Sequence, residues 1–289
     1  MRICPACAHA FEAADWRCPA CGEQPSIIEG FPALAADMAM GGGGFRAEYF
    51  EALAKLEAGH FWFRNRNRII LWALRKYFPH IGRYLEIGCG TGFVLSAVAA
   101  AYPNAALTGS EVFSAGLPYA AGRVPGAELL QMDARKIPYA EHFDVVGAFD
   151  VLEHIREDEA ALRAIHCALR RGGGLVLTVP QHPWLWSRQD ELACHERRYT
   201  AQELVGKLDR AGFKVRLCTS FVSLLLPLMW ITRRLGTDPA KEDTMSELRI
   251  GGTANRLLGS AMTVEFAALR MGLLFPIGGS LLIVAERAG

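Results

Sequence analysis

The sequence predicts an α/β chain built on a mostly parallel sheet with helices on both faces, preceded by a small cysteine-rich piece and interrupted near its end by an apolar helical insert. Three observations predict it. From Arg83 onward short β-branched or apolar runs alternate with longer helical stretches, the first run ends in a glycine-rich turn, and two C-x-x-C pairs occupy residues 1–21. With 289 residues, 51% of them apolar, and a formal net charge of +1, the chain can bury one large core plus a small appendage. It does not open with a basic stretch followed by an apolar run, so a cytoplasmic location is expected.

Residues 1–40 form the first expected segment. Cys4, Cys7, Cys18 and Cys21 can converge four thiolates tetrahedrally on one zinc ion, and so short a piece has too little apolar surface to fold without it. Two disulfides or free thiols are the alternative, less suited to a reducing compartment. A complete four-sulfur set leaves no open coordination position, which makes the expected zinc structural. Cys89, Cys167, Cys194 and Cys218 are scattered singly, so no disulfide framework is expected in the large domain.

Residues 41–82 read as a linker and an N-terminal helical cap. The run Gly41–Gly44 suits a flexible joint. Beyond it, Tyr49, Phe50, Leu53 and Leu56, then Ile69, Ile70, Leu71, Trp72 and Leu74, recur at helical spacing, with a junction at Gly59–Arg64. Residues 83–220 form the core, with strands expected near 84–88, 106–111, 127–131, 143–149, 173–179 and 213–220. An insert at 221–279 separates these from a final strand within 280–289, expected near 280–286.

The first strand ends Glu86-Ile87-Gly88-Cys89-Gly90-Thr91-Gly92-Phe93. A dinucleotide turn needs G-x-G-x-x-G, but here the glycines fall at 88, 90 and 92 and position 93 is Phe. Glu-x-Gly-x-Gly-x-Gly resembles motif I of the class I S-adenosylmethionine (SAM) methyltransferases. That resemblance implies a Rossmann-like seven-stranded, mostly parallel sheet whose last strand is antiparallel. It also implies a turn at Gly88, Cys89, Gly90 and Gly92 packed on the methionine part of the cofactor, with Glu86 holding its amino group. After the second strand, Glu111 lies about twenty residues beyond the turn, where an acid accepts from both ribose hydroxyls. Gln131-Met132-Asp133-Ala134 resembles the family's adenine clamp, although Asp133 also suits a helix cap. Phe149-Asp150-Val151-Leu152-Glu153-His154 resembles the post-strand motif of the ubiquinone-pathway O-methyltransferase branch. There the backbone at 149–150 lines the cofactor's reactive end and Glu153-His154 lies near the acceptor.

Glu57-x-x-His60-Phe61-Trp62-Phe63-x-x-Arg66 resembles the entrance segment of many small-molecule methyltransferases, which makes His60, Trp62 and Arg66 pocket candidates. Phe61–Phe63 also suit plain core packing. The segment after the fifth strand, from Pro180 to Tyr199, gathers Trp184, Trp186, Tyr199 and ionisable residues in a long loop at the ligand-bearing edge. His182 and His195 have the intrinsic pKa of a general base, Asp190 can orient or replace either, and His154 is a further candidate. His182 ranks first because it comes directly off the strand. Each of these residues also admits a purely architectural role in the loop.

Phe221–Ile231 reads FVSLLLPLMWI, too short to span a bilayer. It suits a lid or substrate-binding insert first. Peripheral membrane contact through 221–236 and a homodimer patch are the alternatives. The residues between 253 and 275 show helical spacing, with Glu265 and Arg270 against a membrane span. A small-molecule acceptor is expected rather than nucleic acid. Residues 1–45 set Arg2 and Arg17 against five acids, a net charge of −3, whereas phosphate contacts need a basic surface. An RNA methyltransferase and a non-catalytic SAM-binding scaffold are the rival readings.

Overall fold

A computed structural model of the protein describes residues 1–13, 15–40, 48–235 and 250–288, so the Gly41–Gly44 joint and position 236 lie outside the described residues. The N-terminal piece forms two short antiparallel hairpins, β1 (Arg2–Ile3) with β2 (Ala10–Phe11) and β3 (Ser26–Ile28) with β4 (Phe31–Ala33). Two helices follow, α1 (Glu48–Leu56) and α2 (Phe61–Tyr77). His60 caps α2 by accepting the Trp62 N–H at its Nδ1 (3.2 Å), and Arg75 and Lys76 complement the dipole at the other end.

The alternating pattern then runs β5 (Arg83–Ile87), α3 (Phe93–Ala101), β6 (Ala106–Glu111), α4 (Leu117–Arg123), β7 (Glu128–Gln131), β8 (Phe143–Phe149), α5 (Asp158–Ala168) and β9 (Leu169–Pro180). The chain ends with α6 (Arg188–Leu192), α7 (Ala201–Arg210), β10 (Phe213–Phe221), α8 (Leu226–Leu235), α9 (Gly252–Arg270) and β11 (Ser280–Arg287). The strand order is β10-β11-β9-β8-β5-β6-β7-β4-β3, with β4 through β9 running parallel and β11 antiparallel to both its neighbours. The seven expected core strands are all present. Their near-continuous apolar sequences follow from helices covering both faces, which leaves no polar side to alternate with.

Two of the nine strands come from the cysteine module. Strand β4 adds to the parallel edge at the pair Ala33↔Gln131, and Gln131 fixes the arriving chain with its side chain. Its Nε2 donates to Ala35 O (2.8 Å) while its Oε1 accepts from Ala35 N–H (3.0 Å). Such an addition covers an edge that would otherwise be open to pairing with another chain. The module and the sheet also share a core, since Cys4, Phe11, Trp16 and Cys18 pack in one cluster with Leu130, Tyr139 and Phe143. Glu128 is the polar joint. It accepts from the Trp16 indole (3.1 Å) and the Tyr139 hydroxyl (3.0 Å) and pairs with Arg2 (2.5 Å).

The insert packs α9 on α2. Asn255 accepts from Phe61 N–H (2.8 Å) and donates to Gly59 O (2.9 Å), which fixes the entry to α2. Glu265, buried on α9, accepts the Ser223 and Leu224 N–H groups (2.7 and 2.9 Å) just before α8. No helix among the described residues is long and apolar enough to cross a membrane.

Replacing Trp16 by Ala removes a buried indole between module and sheet, and such truncations cost about 3–5 kcal/mol. Thermal unfolding of the variant is expected to remain one transition at a lower midpoint. A separate early transition that spares the sheet would show the module to be an independent unit.

Candidate active site at the carboxyl ends of the parallel strands

Between β5 and α3 the chain turns through three glycines with positive φ, Gly88 (+64°), Gly90 (+52°) and Gly92 (+75°). A side chain at Gly92 would place its Cβ 2.8 Å from the Ala120 backbone, so the turn is fixed by packing on α4 as well as by its dihedrals. Glu57, Thr91 and Arg123 brace it from outside: Thr91 Oγ1 is 2.7 Å from Glu57 Oε2, and Arg123 donates to that same oxygen (2.7 Å) and to Thr91 Oγ1 (2.7 Å). Nothing in the sequence pattern marked Thr91 or Arg123, because their pairing depends on α1 and α4 meeting across the turn.

A cavity of about 190 Å³ opens beside this turn, lined by Trp62, Phe63, Arg66, Glu86, Phe149 and Asp150 among others. Of the residues expected here, Trp62, Arg66, Glu86, Gly88, Cys89, Gly90, Phe149 and Asp150 all line it. Glu86 is 2% exposed, and burial raises its carboxyl pKa to about 8 against the opposing pull of Arg66 and the Tyr84 hydroxyl (3.3 Å). Arg66 lies over the Trp62 ring (4.6 Å to the centroid) and pairs with Asp150, which holds a left-handed backbone at φ +58°. Such a conformation in a non-glycine residue is a strain concentrated at functional sites.

Glu111 ends β6 with its carboxylate turned back onto the glycine loop, accepting from Gly90 N–H (3.0 Å) and from Val112 and Phe113 N–H (2.9 and 3.2 Å). Burial raises its pKa and those three amides oppose the rise. Met132 and Ala134 are buried after β7. Asp133 accepts from Arg135 Nε at both oxygens (3.0 Å each), and Arg135 reaches on to Glu157 (2.7 Å).

On the other side of Asp150, the turn after β8 meets the loop after β9. Asp190, 1% exposed, closes the capping box of α6 with Ser187 and holds His195 (2.9 Å), Arg198 (2.7 Å) and Arg233 (3.0 Å). Despite its burial, these partners drive its carboxyl pKa far down. It holds the His195 imidazole at its Nδ1. His182 has a left-handed backbone (φ +65°) and stacks on Trp184 at 5.1 Å, its Nε2 buried without a hydrogen-bond partner. Burial, then Arg198, lowers its pKa. The His154 and His195 rings meet edge to face at 4.8 Å.

Four expected pocket residues do not line this cavity. Tyr199 is fully buried, its hydroxyl donating to Leu152 O (3.1 Å) and to Asp158 (2.7 Å), so it locks the loop and faces no ligand. His60 serves as the α2 cap and does not line the cavity. Trp184 and Trp186 are exposed, 53% and 40%, on the outer rim.

Residues 85–177 match the family model described as a methyltransferase domain. Among solved structures of similar fold is the complex between the Haloferax volcanii Trm112 methyltransferase activator and a methyltransferase, with TM-score 0.55 and 15% identity over 84% of this chain and 94% of that one. A phosphoethanolamine N-methyltransferase from Haemonchus contortus bound to SAM gives 0.52 and 18%, over 78% of this chain and 53% of that one. The cyclase SpnF gives 0.53 and 20%, over 77% and 80%. A polyketide synthase of Burkholderia thailandensis is 28% identical over 109 residues, 36% of this chain, and the match spans 5% of the synthase's length. Residues 85–177 are thus similar to a methyltransferase domain, and the solved structures share the fold. The glycine turn and Glu86 line the cavity, and Glu111 supports the turn through the Gly90 N–H.

Below pH 4.5 Glu86 is protonated in both folded and unfolded chains. Between pH 4.5 and about 8 the unfolded chain ionises it while the fold keeps the proton, so stability falls as pH rises. Cofactor-free Glu86→Gln is expected to match the wild type near the low end and to exceed it by roughly 2–5 kcal/mol at the high end. Urea unfolding across that range checks it; a difference independent of pH would mean Glu86 is already ionised in the fold.

Proposed function

We propose that the protein moves the methyl group of SAM to a small acceptor with an apolar body, taken up between the post-β9 loop and α8. The observation that carries this reading is an exposed apolar rim on the loop that follows β9 and on α8. Trp184 and Trp186 of the loop, with Leu228, Trp230 and Ile231 of α8, form that rim, and Arg233 ties the two segments by donating to Leu185 O (2.6 Å). A rim of this kind suits an apolar or lipid-linked acceptor and peripheral contact with a lipid surface.

In this reading Glu86 holds the cofactor's amino group and Glu111 its ribose hydroxyls. Met132, Asp133 and Ala134 flank the adenine, with Asp133 shared between that ring and Arg135. The cofactor brings a methyl group already activated by its sulfonium, so the chain's task is alignment and exclusion of water. Trp62, Arg66 and Phe149 close the cavity around the reacting centre. For an acceptor that starts protonated, His182 is the base, since its neutral ring has a buried nitrogen without a partner. The module's cysteines fit a structural zinc ion. Sγ separations of 3.7 Å for Cys4 to Cys21 and Cys7 to Cys18 match the edges of about 3.8 Å of a tetrahedron with Zn–S bonds of about 2.3 Å.

Incubation with tritiated SAM and separate lipid, small-metabolite and RNA fractions is expected to label lipid or small metabolites. Label confined to RNA would overturn the reading, and no label despite tight SAM binding would favour a scaffold. His182→Ala is expected to lower kcat roughly 10²–10⁴-fold with SAM affinity unchanged by calorimetry. Full turnover in that variant would remove His182 from the base role.

A further inference from the structure

The turn after β8 and the loop after β9 bring Glu153, His154 and His195 together, one ligand atom of each within 4.8 Å of the others. We propose that these three side chains bind a divalent transition-metal ion, separate from the four-cysteine set, on the acceptor side of the cavity. The ion's role toward the acceptor rests on the methyltransferase reading above, whereas the site itself stands on the following geometry.

Glu153 is 0% exposed, and neither of its carboxylate oxygens has a hydrogen-bond partner. A buried carboxylate left this way is costly unless something positive completes it. The two cations that act on it electrostatically are committed elsewhere. Arg198 donates to Asp190 (2.7 Å) and to Gln181 O (3.1 Å), and Arg66 pairs with Asp150. Asp150 adds negative charge to the same place, which a dication would offset.

Both histidines are turned to offer a lone pair. His195 Nδ1 lies 2.9 Å from Asp190 Oδ1, and that carboxylate can only accept, so Nδ1 carries the hydrogen and Nε2 is left open. His154 Nδ1 lies 3.4 Å from the Cys194 carbonyl, with the same consequence. A carboxylate or carbonyl behind each imidazole is the arrangement that orients metal-binding histidines. The two segments are pinned to each other by Glu196 N–H donating to Glu153 O at 2.7 Å. Donors around a tetrahedral ion with bonds of about 2.1 Å lie about 3.4 Å apart. The three ligand atoms lie within 4.8 Å of one another, so binding of the ion draws them together.

Two imidazoles and one carboxylate select zinc, iron or a neighbouring transition ion over magnesium, and three protein ligands leave a coordination position for an acceptor oxygen. Held there, that oxygen loses its proton more readily, the O–H bond breaking with the proton passing to His182. The oxygen then forms the bond to the methyl carbon as the C–S bond breaks, its electron pair passing to sulfur.

Full-length protein equilibrated with cobalt(II) and analysed for bound metal is expected to hold two ions per chain. Cys18→Ser, Glu153→Gln and His195→Ala should each hold one, and only Cys18→Ser should lose the thiolate-to-cobalt absorption. His154→Ala changes an exposed side chain and reads the site even if a buried substitution fails to fold; a hundredfold loss of affinity for the second ion is expected. A wild type that binds a single ion, lost with Cys18→Ser, overturns the proposal. So does a second ion that persists in His154→Ala, Glu153→Gln and His195→Ala alike. SAM titration by calorimetry on the same samples separates the two readings, because its failure in the wild type would sink the methyltransferase function while leaving the metal count informative.

Discussion

Buried carboxylates at the carboxyl ends of parallel strands are the constraint around which this fold is arranged. Glu86, Glu111 and Glu153 are all buried, and burial is the largest cause raising each pKa. None is matched by a dedicated cation of its own. Glu111 leans on three backbone amides, Glu86 on one tyrosine hydroxyl, and Glu153 on nothing. Stability has been traded for preorganisation, the usual pattern where binding sites are held ready. The arginines that would have neutralised them are held away by other acids, Arg66 by Asp150 and Arg198 by Asp190.

The cysteine module answers a different need. A parallel sheet ending at β7 would expose the edge of the strand that leads into Met132–Ala134. The module covers it through β4 and then runs through a 3₁₀ turn at Ala36–Met38 to reach Arg135 (3.7 Å to the Met38 sulfur) and Ser114 (N–H to Ala39 O, 3.0 Å). It thus supports the segments that follow β6 and β7 as well as the edge.

Much of this architecture was legible because strands buried on both faces leave long apolar runs, and each of the seven core strands begins and ends within a residue or two of its expected bounds apart from the start of β9. That strand starts at Leu169, four residues before its expected bound, because Arg170–Gly173, between the paired residues Leu169 and Gly174, carry no apolar signal. The β3–β4 hairpin was not legible. Three-residue strands carry no periodicity, and Pro32 argues against pairing except at an edge. In the site, Glu86, Gly88, Gly90, Phe149 and Asp150, all in motifs next to strand ends, lie together around one cavity. Contacts that depend on distant partners were not legible: Asp158 and Leu152 hold the Tyr199 hydroxyl, and Arg123 carried no motif at all.

Arg233 gives the apolar rim a mechanical meaning. It is the point where α8 reaches across to the same carboxylate that steers His195. Tilting α8 outward withdraws a positive charge from Asp190 and loosens the imidazole on its far side. The greasy outer surface of that helix and the His195 imidazole are thereby joined mechanically through a single guanidinium.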